Sequence, residues 1–292
     1  MNSEFSYSEA FSRNIGWLTE SEQQVLRGKT IAIAGMGGVG GVHLLTLARL
    51  GFANFRISDM DVFEPANFNR QIGAMVSTLG ESKVEVLARM ARDINPEAKV
   101  TEFPGGITPA NLEKFLKGAD LFIDGFDFFV IDIRRKAFTR CHELGIPAMT
   151  AAPVGMGVAF LAFTRDSMTF EDYFRFEGAS ELRQYINFLL GLSPSGMHGS
   201  YLVDPSRLNI PKHKAPSTII GVQLCASFTA AQAVKLLLGR GEVKPAPFHY
   251  HFDSYLAKFE AGPQPGNGSA AQKQKGDQLE AQFRQQLGLA SA

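Results

Sequence analysis

The chain has 292 residues and a mass of 31.9 kDa, enough for one large α/β domain with a sizeable core. Its 29 basic residues balance 29 acidic ones, and 45% of its residues are hydrophobic, as in an ordinary globular protein. No global charge therefore draws it to nucleic acid or to a membrane surface, and we expect neither as a partner. The function has to be read from local motifs.

The cysteines and the apolar runs of the sequence indicate the cellular compartment in which the protein works. Cys141 and Cys225 form no Cys-x-x-Cys pair, which argues against a four-cysteine zinc site and against a disulfide framework. The first 17 residues lack the basic start and apolar run of a secretory signal. The apolar stretch 219–239 is interrupted by polar residues such as Gln223, which favours a buried helix over a membrane span. We therefore expect a cytoplasmic protein.

Strands and helices alternate along the first half of the chain. The hydrophobic pattern predicts strands at 29–34, 54–59, 99–103, 120–124 and 146–150, and helices at 42–51, 83–94, 109–117 and 131–144. The helix over 83–94 should end at Asn95, because a residue before proline avoids the helical region. Alternation of this kind predicts a parallel sheet covered by helices.

The second half is less regular. A strand over 158–163 extends the sheet, a long helix over 219–238 returns to the core, and a late strand covers 248–253. Between them, residues 167–216 show no clean alternation and are predicted to be an insertion. From residue 262 the composition is that of a polar linker. We predict an N-terminal helical segment over 1–28, a core domain over 29–261 and a flexible tail over 262–292.

A glycine-rich turn lies between the first predicted strand and the first helix. Its four glycines are Gly35, Gly37, Gly38 and Gly40. Such a turn lets backbone N–H groups approach a phosphate at a helix N-terminus. An acid about twenty residues later is expected to bond the ribose, and Asp59 stands there with Asp61 close behind. Turn and acid predict a nucleotide-binding, Rossmann-like fold, and by themselves suit an NAD-dependent dehydrogenase nearly as well.

The residues that follow favour chemistry at a phosphate. Arg70 and Lys83 could neutralise the charge that builds on an α-phosphorus and on departing pyrophosphate, whereas a dehydrogenase has no use for them. Each taken alone could be a solvated surface charge. Asp127 directly follows a predicted strand, where open α/β sheets bind ligands. It could equally be a helix N-cap.

Six motifs in this order resemble the ubiquitin-activating-enzyme-like adenylyltransferases, the ThiF/MoeB/HesA family of sulfur-carrier and ubiquitin activation. They are Ser-Arg-Asn-Ile-Gly (12–16), GMGGVG (35–40), Asp-Met-Asp (59–61), Asn-Phe-Asn-Arg-Gln (67–71), Gly-Glu-Ser-Lys-Val-Glu (80–85) and Asp-Gly-Phe-Asp (124–127). The resemblance runs over about 12–238 and is weakest between 165 and 215. It implies a ThiF-type ATP-binding domain over 29–261, with an antiparallel extension of the sheet and 167–216 as the crossover loop.

The resemblance also implies an activity and its residues. The reaction would join a carboxylate to AMP and release pyrophosphate, using ATP and Mg²⁺. The implied roles fall on matching positions: Asp59 (with Asp61) at the ATP ribose, the glycine turn at the phosphates, Asn67, Arg70, Gln71 and Lys83 at ribose and phosphates, Asp127 at Mg²⁺, and Arg13 at the phosphates of a partner subunit. A homodimer is therefore implied, with a ubiquitin-like or sulfur-carrier protein, a peptide or a small acid as the substrate.

The chain departs from the family at several positions. Residues 167–216 contain no cysteine and there are no Cys-x-x-Cys pairs, so we expect neither a thioester step nor zinc, and interpret Cys225 as a small buried hydrophobe. Phe128 stands where the family usually has asparagine, which predicts a more apolar site rim. The histidines share no ligand spacing and are interpreted as structural: His198, His213, His249 and His251. A non-catalytic scaffold subunit is the second alternative to the adenylyltransferase.

Overall fold

A mixed eight-stranded sheet organises the chain, of which the computed structural model describes residues 5–209, 213–264 and 266–286. The strands are β1 (Thr30–Ala34), β2 (Asn54–Ser58), β3 (Lys99–Phe103), β4 (Leu121–Asp124), β5 (Ala148–Val154), β6 (Gly157–Phe163), β7 (Phe248–Asp253) and β8 (Lys258–Pro263). The helices are α1 (Tyr7–Ala10), α2 (Glu20–Gly28), α3 (Gly38–Arg49), α4 (Lys83–Ile94), α5 (Leu112–Leu116), α6 (Ile131–Leu144), α7 (Phe170–Phe174), α8 (Glu181–Leu192), α9 (Ile219–Leu238) and α10 (Ala270–Gln286).

The sheet has a parallel half and an antiparallel half. Its strand order is β3-β2-β1-β4-β5-β6-β7-β8. Pairing is parallel from β3 to β5 and antiparallel from β5 to β8. The predicted α/β, Rossmann-like class with an antiparallel extension is confirmed. In the parallel half the strand order reverses between β1 and β4, which is where such sheets open a binding crevice.

Alternating side chains give the sheet two buried faces. In β1, Ile31 and Ile33 join a core with residues of α3, α4 and α9. Ala32 and Ala34, one position out of step, join a second core with residues of α5 to α8. A parallel strand buried on both faces reads as a continuous apolar run, which is why this segment was recognisable. Helices cover both faces, as predicted.

The long helix α9 is a core helix. Thr218 caps its start, with the side-chain oxygen accepting from the Gly221 N–H, and Gly239 ends it in the left-handed conformation. By length and composition it could cross a membrane. It instead packs against α3 and the strands β5 and β6, with Val222, Cys225 and neighbouring small residues buried. Of its polar residues, Gln223 and Ser227 are exposed, whereas Thr229 and Gln232 are buried.

The insertion over 167–216 is more regular than its sequence suggested. It contains α7 and α8, whose aromatic side chains enter the second core. The rings of Phe170 and Phe174 in α7 pack at a tilt, with centroids 4.7 Å apart, and the Phe188 ring of α8 lies 5.1 Å from that of Phe174. The aromatic residues of α7 and α8 are therefore spaced as on a helix, every three or four residues. Each helix is short and bounded by turns, so the hydrophobic periodicity of the sequence did not predict these helices.

The C-terminal segment also differs from the flexible tail predicted over 262–292. β8 extends to Pro263, and α10 lies along α8. The buried Asn267 donates to the backbone carbonyls of Phe174 and Asn187 at 2.9 and 2.7 Å, and Lys275 donates to the Pro194 carbonyl. Polar residues of the C-terminal segment thus form hydrogen bonds to the insertion. Amino-acid composition does not predict such contacts. Residues 287–292 lie outside the described part.

We predict that Asn267→Ala lowers the free energy of unfolding by about 1–3 kcal/mol, because two buried carbonyls lose their donor. Urea denaturation measures the difference. Gln278→Ala, at an exposed position of α10, serves as the control and should change stability by less than about 0.5 kcal/mol. Equal, small effects of the two substitutions would show that the segment does not pack on the insertion.

Candidate active site

The predicted site residues other than Arg13 gather at the carboxyl edge of the parallel strands. Gly35 follows β1, Asp59 follows β2 and Asp127 follows β4. Because β1 and β4 are direct neighbours, the glycine turn and the segment carrying Asp127 flank the crevice where the strand order reverses. The fold thus brings together motifs that are about 90 residues apart in the sequence.

Three glycines allow the two sides of this crevice to touch. A Cβ on Gly35, whose φ is +91°, would lie 2.1 Å from the carbonyl oxygen of Gly125. A Cβ on Gly40 would lie 1.8 Å from the Gly35 oxygen, and one on Gly125 would lie 2.8 Å from it. These distances exclude any side chain. The end of β1, the end of β4 and the first turn of α3 are therefore packed backbone to backbone.

Gly37 and Gly38 have a different environment. A Cβ on Gly37 would come no closer than 3.6 Å to the Gln71 side chain, and one on Gly38 would be 3.4 Å from Val222, an ordinary contact. Protein packing does not require glycine at Gly38. The first N–H groups of α3 have no partner within the helix, so this open turn at a helix N-terminus fits a phosphate.

Asp59 and Asp61 connect the glycine turn to α4. The Asp59 carboxylate accepts from the Met36 N–H at 2.6 Å and from the Asp61 N–H at 2.8 Å. Asp61 in turn pairs with the Lys83 ammonium at 3.0 Å. Lys83 is buried whereas Asp61 is exposed. Asp59 thus shapes the turn and keeps lone pairs for a ribose, and Lys83 is held beside it.

The loop that carries Asn67, Arg70 and Gln71 lies over the glycine turn. A Cβ on Gly38 would be 3.8 Å from the Arg70 side chain. Arg70 donates to the Ala66 carbonyl and to the Asn69 amide oxygen, and in the part of the chain that the structure describes no carboxylate pairs with it. Asn67 is buried and accepts from the Glu64 N–H.

Gln71 supplies an observation that packing does not explain. Its side chain is 7% exposed, and its Oε1 atom is buried without a hydrogen-bond partner. A buried polar atom of this kind usually has a partner. Its amide nitrogen lies beside Gly37, so a nucleotide at the turn could approach the same side chain. The open glycines and Arg70, which pairs with no carboxylate among the described residues, fit the phosphates of ATP, and the Gln71 oxygen can accept from a ribose hydroxyl.

Asp127 fits a magnesium ligand. Its Oδ1 accepts from the Phe129 N–H at 3.0 Å, which fixes the exposed carboxylate, and the structure gives its Oδ2 no hydrogen bond among the described residues. Over those residues no three His, Cys, Asp or Glu side chains form a cluster. Mg²⁺ is commonly held by one or two carboxylates together with substrate phosphates. A single fixed carboxylate beside a phosphate turn suits that mode.

Arg13 lies elsewhere. Its neighbour Asn14 donates to Gln23, and Gln23 donates to the carbonyl of Leu50, just past the end of α3. The twelve residues of α3 span about 18 Å at ~1.5 Å each. Arg13 is therefore anchored at the opposite end of α3 from the glycine turn, and the structure does not bring it to the other predicted site residues.

The insertion borders the site on its open side. His213 stacks on Phe129, next to Asp127, with ring centroids 4.7 Å apart. Asn69, beside Arg70, donates to the Ser217 carbonyl at 2.9 Å. The Phe128 ring lies 5.3 Å from Phe188 of α8. The aromatic residues at the rim thus join the Asp127 loop to the insertion.

Both cysteines are buried, and burial raises the pKa of each thiol. A protonated buried thiol is a poor nucleophile. Burial likewise lowers the pKa of the His251 imidazole to about 4, so it is neutral at pH 7, and its Nδ1 lies 3.4 Å from the Ser193 hydroxyl. Tyr201 donates to Asp253 at 2.6 Å nearby. This cluster anchors the insertion to β7.

Four residues that shape the site had no predicted role: Asp124 and Gly125, which lie within the Asp-Gly-Phe-Asp motif, and Arg134 and Thr150. Arg134 is 1% exposed and pairs with the buried Asp124. A signal was present, because Arg134 shares a helical face with the apolar residues Ile131, Phe138 and Cys141. A charge on an apolar face indicates a buried, paired side chain.

Known proteins match this chain along most of its length. The profile of the ThiF family matches residues 11–268. The tRNA threonylcarbamoyladenosine dehydratase of Bacillus subtilis is 32% identical over 142 residues, 48% of this chain and 55% of that protein. The probable adenylyltransferase/sulfurtransferase MoeZ of Mycobacterium tuberculosis is 27% identical over 230 residues, 75% of this chain and 50% of that protein.

The fold has solved counterparts as well. A crystal structure of E. coli MccB with ATP superimposes with a TM-score of 0.63 at 18% identity, covering 86% of this chain and 69% of that one. At such identity the likeness concerns the fold. The matches to the two relatives named above span about half the length of each.

We predict opposite outcomes for alanine at two neighbouring glycines. Gly40→Ala should lower the free energy of unfolding by about 1–3 kcal/mol or more, because its methyl group meets a backbone oxygen that cannot yield. Gly38→Ala should change it by less than about 1 kcal/mol, since the methyl group has room at a helix start. Urea denaturation of both variants checks this, and similar values for the two would contradict the packed turn.

Proposed function

The chain belongs to the ThiF family, and we propose that it is an ATP-dependent adenylyltransferase that joins a carboxylate to AMP. One observation carries the proposal. At the carboxyl edge of the sheet, the open glycine turn meets Arg70, a cation that pairs with no carboxylate among the described residues. An arrangement of this kind fits a polyphosphate rather than a hydride acceptor.

In the proposed reaction, a carboxylate oxygen attacks the α-phosphorus of ATP and the bond to pyrophosphate breaks. Backbone N–H groups at the start of α3, together with Arg70 and Lys83, stabilise charge on the phosphoryl oxygens. The nucleophile is already ionised, so the protein has little proton transfer to perform. Positioning of the reactants supplies most of the remaining rate.

We propose Mg²⁺ as the metal, held by Asp127. When bound, it would neutralise negative charge on the triphosphate. The hydrogen bond from the Phe129 N–H, which fixes the orientation of the Asp127 carboxylate, supports this role. The dehydrogenase alternative gives no use for Asp127 or Arg70 in this arrangement.

The substrate is proposed to be the carboxylate of a small acid, a peptide or a carrier-protein tail. The names of the relatives describe different activities: dehydration of a modified tRNA nucleoside for one, and adenylyl and sulfur transfer for MoeZ. The chain has two cysteines and both are buried, so an acyl-adenylate made here would pass to another nucleophile. We place this reaction in the cytoplasm, where such thiols stay reduced.

The test is ATP–pyrophosphate exchange with the purified chain and Mg²⁺, run against a panel of carboxylates that includes carrier-protein tails. Exchange that depends on one class of carboxylate supports adenylation and identifies the substrate. ATP binding without exchange on any member would instead favour the scaffold alternative. Binding of NAD in place of ATP would favour a dehydrogenase.

With a substrate in hand, we predict that Arg70→Ala lowers the exchange rate by about 10²–10³, the scale for removing one transition-state donor. Arg92→Ala is the matched control, because Arg92 is an arginine near the end of α4 that pairs with Glu102. Its exchange rate should stay near that of the wild type. Exchange at the wild-type rate in Arg70→Ala would show that Arg70 has no role in the reaction.

We also propose that the chain acts as a homodimer in which Arg13 serves the partner's site. Arg13 is anchored at the far end of α3 from its own glycine turn, so a role at phosphates requires a second subunit. Exposed apolar side chains occur beside it at Ile15 and Trp17, and near the site at Met75 and Val76. In a two-fold dimer, the surface with Ile15 and Trp17 on one subunit would meet the surface with Met75 and Val76 on its partner, and the reverse contact would form as well.

Glutamate at either surface should break this dimer. We predict that Trp17→Glu and Val76→Glu each raise the dimer dissociation constant by about 100-fold or more, because burying an unpaired carboxylate costs several kcal/mol. Val203→Glu in the insertion, also at a highly exposed valine, is the control and should leave the dimer intact. Sedimentation velocity measures the oligomeric state of the three variants and of the wild type. A monomeric wild-type chain would refute the dimer.

A further inference from the structure

We propose that Arg134 is a positioning residue for Asp127: it fixes the loop that presents this carboxylate and ties it to the insertion. The inference rests on the proposed function, because it assigns Asp127 to Mg²⁺. Arg134 is 1% exposed, and we assign it no contact of its own with the ligand.

All five N–H donors of Arg134 are used. Its Nε donates to Asp124 Oδ2 at 2.9 Å. The other four donors meet four backbone carbonyls of the loop between β4 and α6, with Nη1 donating to Phe128 and Val130 and Nη2 donating to Phe126 and Asp127, at 2.8 to 3.3 Å. Residues 126–130 therefore wrap around one side chain, and Asp127 lies within this wrapped segment.

The guanidinium itself is fixed from the sheet. Asp124, the last residue of β4, is 3% exposed and also accepts from the Thr150 hydroxyl of β5 at 2.8 Å. Two neighbouring strands thus orient the carboxylate that orients Arg134. Removing one partner of a buried, hydrogen-bonded ion pair lowers stability, and here four carbonyls of the loop lose their donors as well.

The same guanidinium meets the insertion. The carbon at its centre lies 4.6 Å from the centroid of the Phe188 ring in α8 and 5.7 Å from that of Phe126. Cations over aromatic faces attract in this range. Phe188 also packs on Phe128, beside Asp127. The position of α8 and the position of the Asp127 loop are therefore linked through Arg134.

Lysine cannot replace this arginine. A lysine has three donors on a single nitrogen, whereas the planar guanidinium spreads five donors over three nitrogens. Arg134→Lys keeps the buried charge beside Asp124 but leaves loop carbonyls without donors. The loop can then relax, and the Asp127 carboxylate loses its fixed place next to the phosphate turn.

The test measures ATP binding by isothermal titration calorimetry, once with excess Mg²⁺ and once with EDTA. The ratio of the two affinities reports the metal contribution without any catalytic turnover. We expect Arg134→Lys to reduce this ratio about 10- to 100-fold, the usual range for residues that orient a metal ligand. The affinity in EDTA should change little. Asp127→Asn should reduce the ratio by at least as much.

A double-mutant cycle separates positioning from general destabilisation. If Arg134 acts through Asp127, adding Arg134→Lys to Asp127→Asn lowers the ratio no further. Additive losses would overturn the proposal, as would an unchanged ratio in Arg134→Lys. Arg183→Lys is the control: Arg183 joins α8 to α10 through Asp277 and Glu280, and its replacement should leave the ratio unchanged.

Two gentler variants keep the test decisive if Arg134→Lys fails to fold. Thr150→Val removes one hydrogen bond to Asp124. Phe188→Leu removes the ring that covers the guanidinium. Both variants leave Arg134 in place. Each should lower the Mg²⁺ ratio in part, and no change in either would overturn the proposal. A wild-type chain that binds no ATP in Mg²⁺ would refute the proposed function itself.

Discussion

The close approach of three glycines sets the architecture of the site. Gly35, Gly40 and Gly125 leave no space for a Cβ between the ends of β1 and β4 and the first turn of α3. This backbone contact holds the crevice narrow, so that groups on its two sides can act on one ligand. The turn between them stays open at Gly38, where the N-terminus of α3 offers unpaired N–H groups.

The charged residues depend on that frame. Asp59 ties the turn to β2 through the Met36 N–H, and Arg134 ties the opposite side to β4 through Asp124. Arg70 and the Asp127 carboxylate then remain for a ligand, whereas the structural charges are paired. This division resembles a preorganised electrostatic site, in which the cost of ordering is met during folding. The insertion, held by α10, closes the remaining side.

The sequence predicted the parallel half of the fold, and it predicted as site residues several side chains that the structure brings to one edge of the sheet. Continuous apolar runs, the glycine turn and Asn95 before Pro96 identify elements by local rules, and the motif order places Asp59, Arg70, Lys83 and Asp127 at one edge. The helices of the insertion and α10 were missed, because they depend on contacts between distant segments such as Asn267 with Phe174. Arg134 was missed although its position on the apolar face of α6 indicated a buried charge, because its partners Asp124 and the loop carbonyls are known only from the structure. The location of Arg13 at the far end of α3 likewise required the structure.

One measurement tests the central claim most directly: a crystal structure of the chain with Mg²⁺ and ATP. The account predicts the triphosphate at the start of α3, with phosphate oxygens near Gly38 and Arg70, the metal on Asp127, and the ribose against Asp59. It also predicts a hydrogen bond to the Gln71 side chain. A nucleotide bound away from this edge, or a triphosphate that makes no contact with the glycine turn, would contradict it.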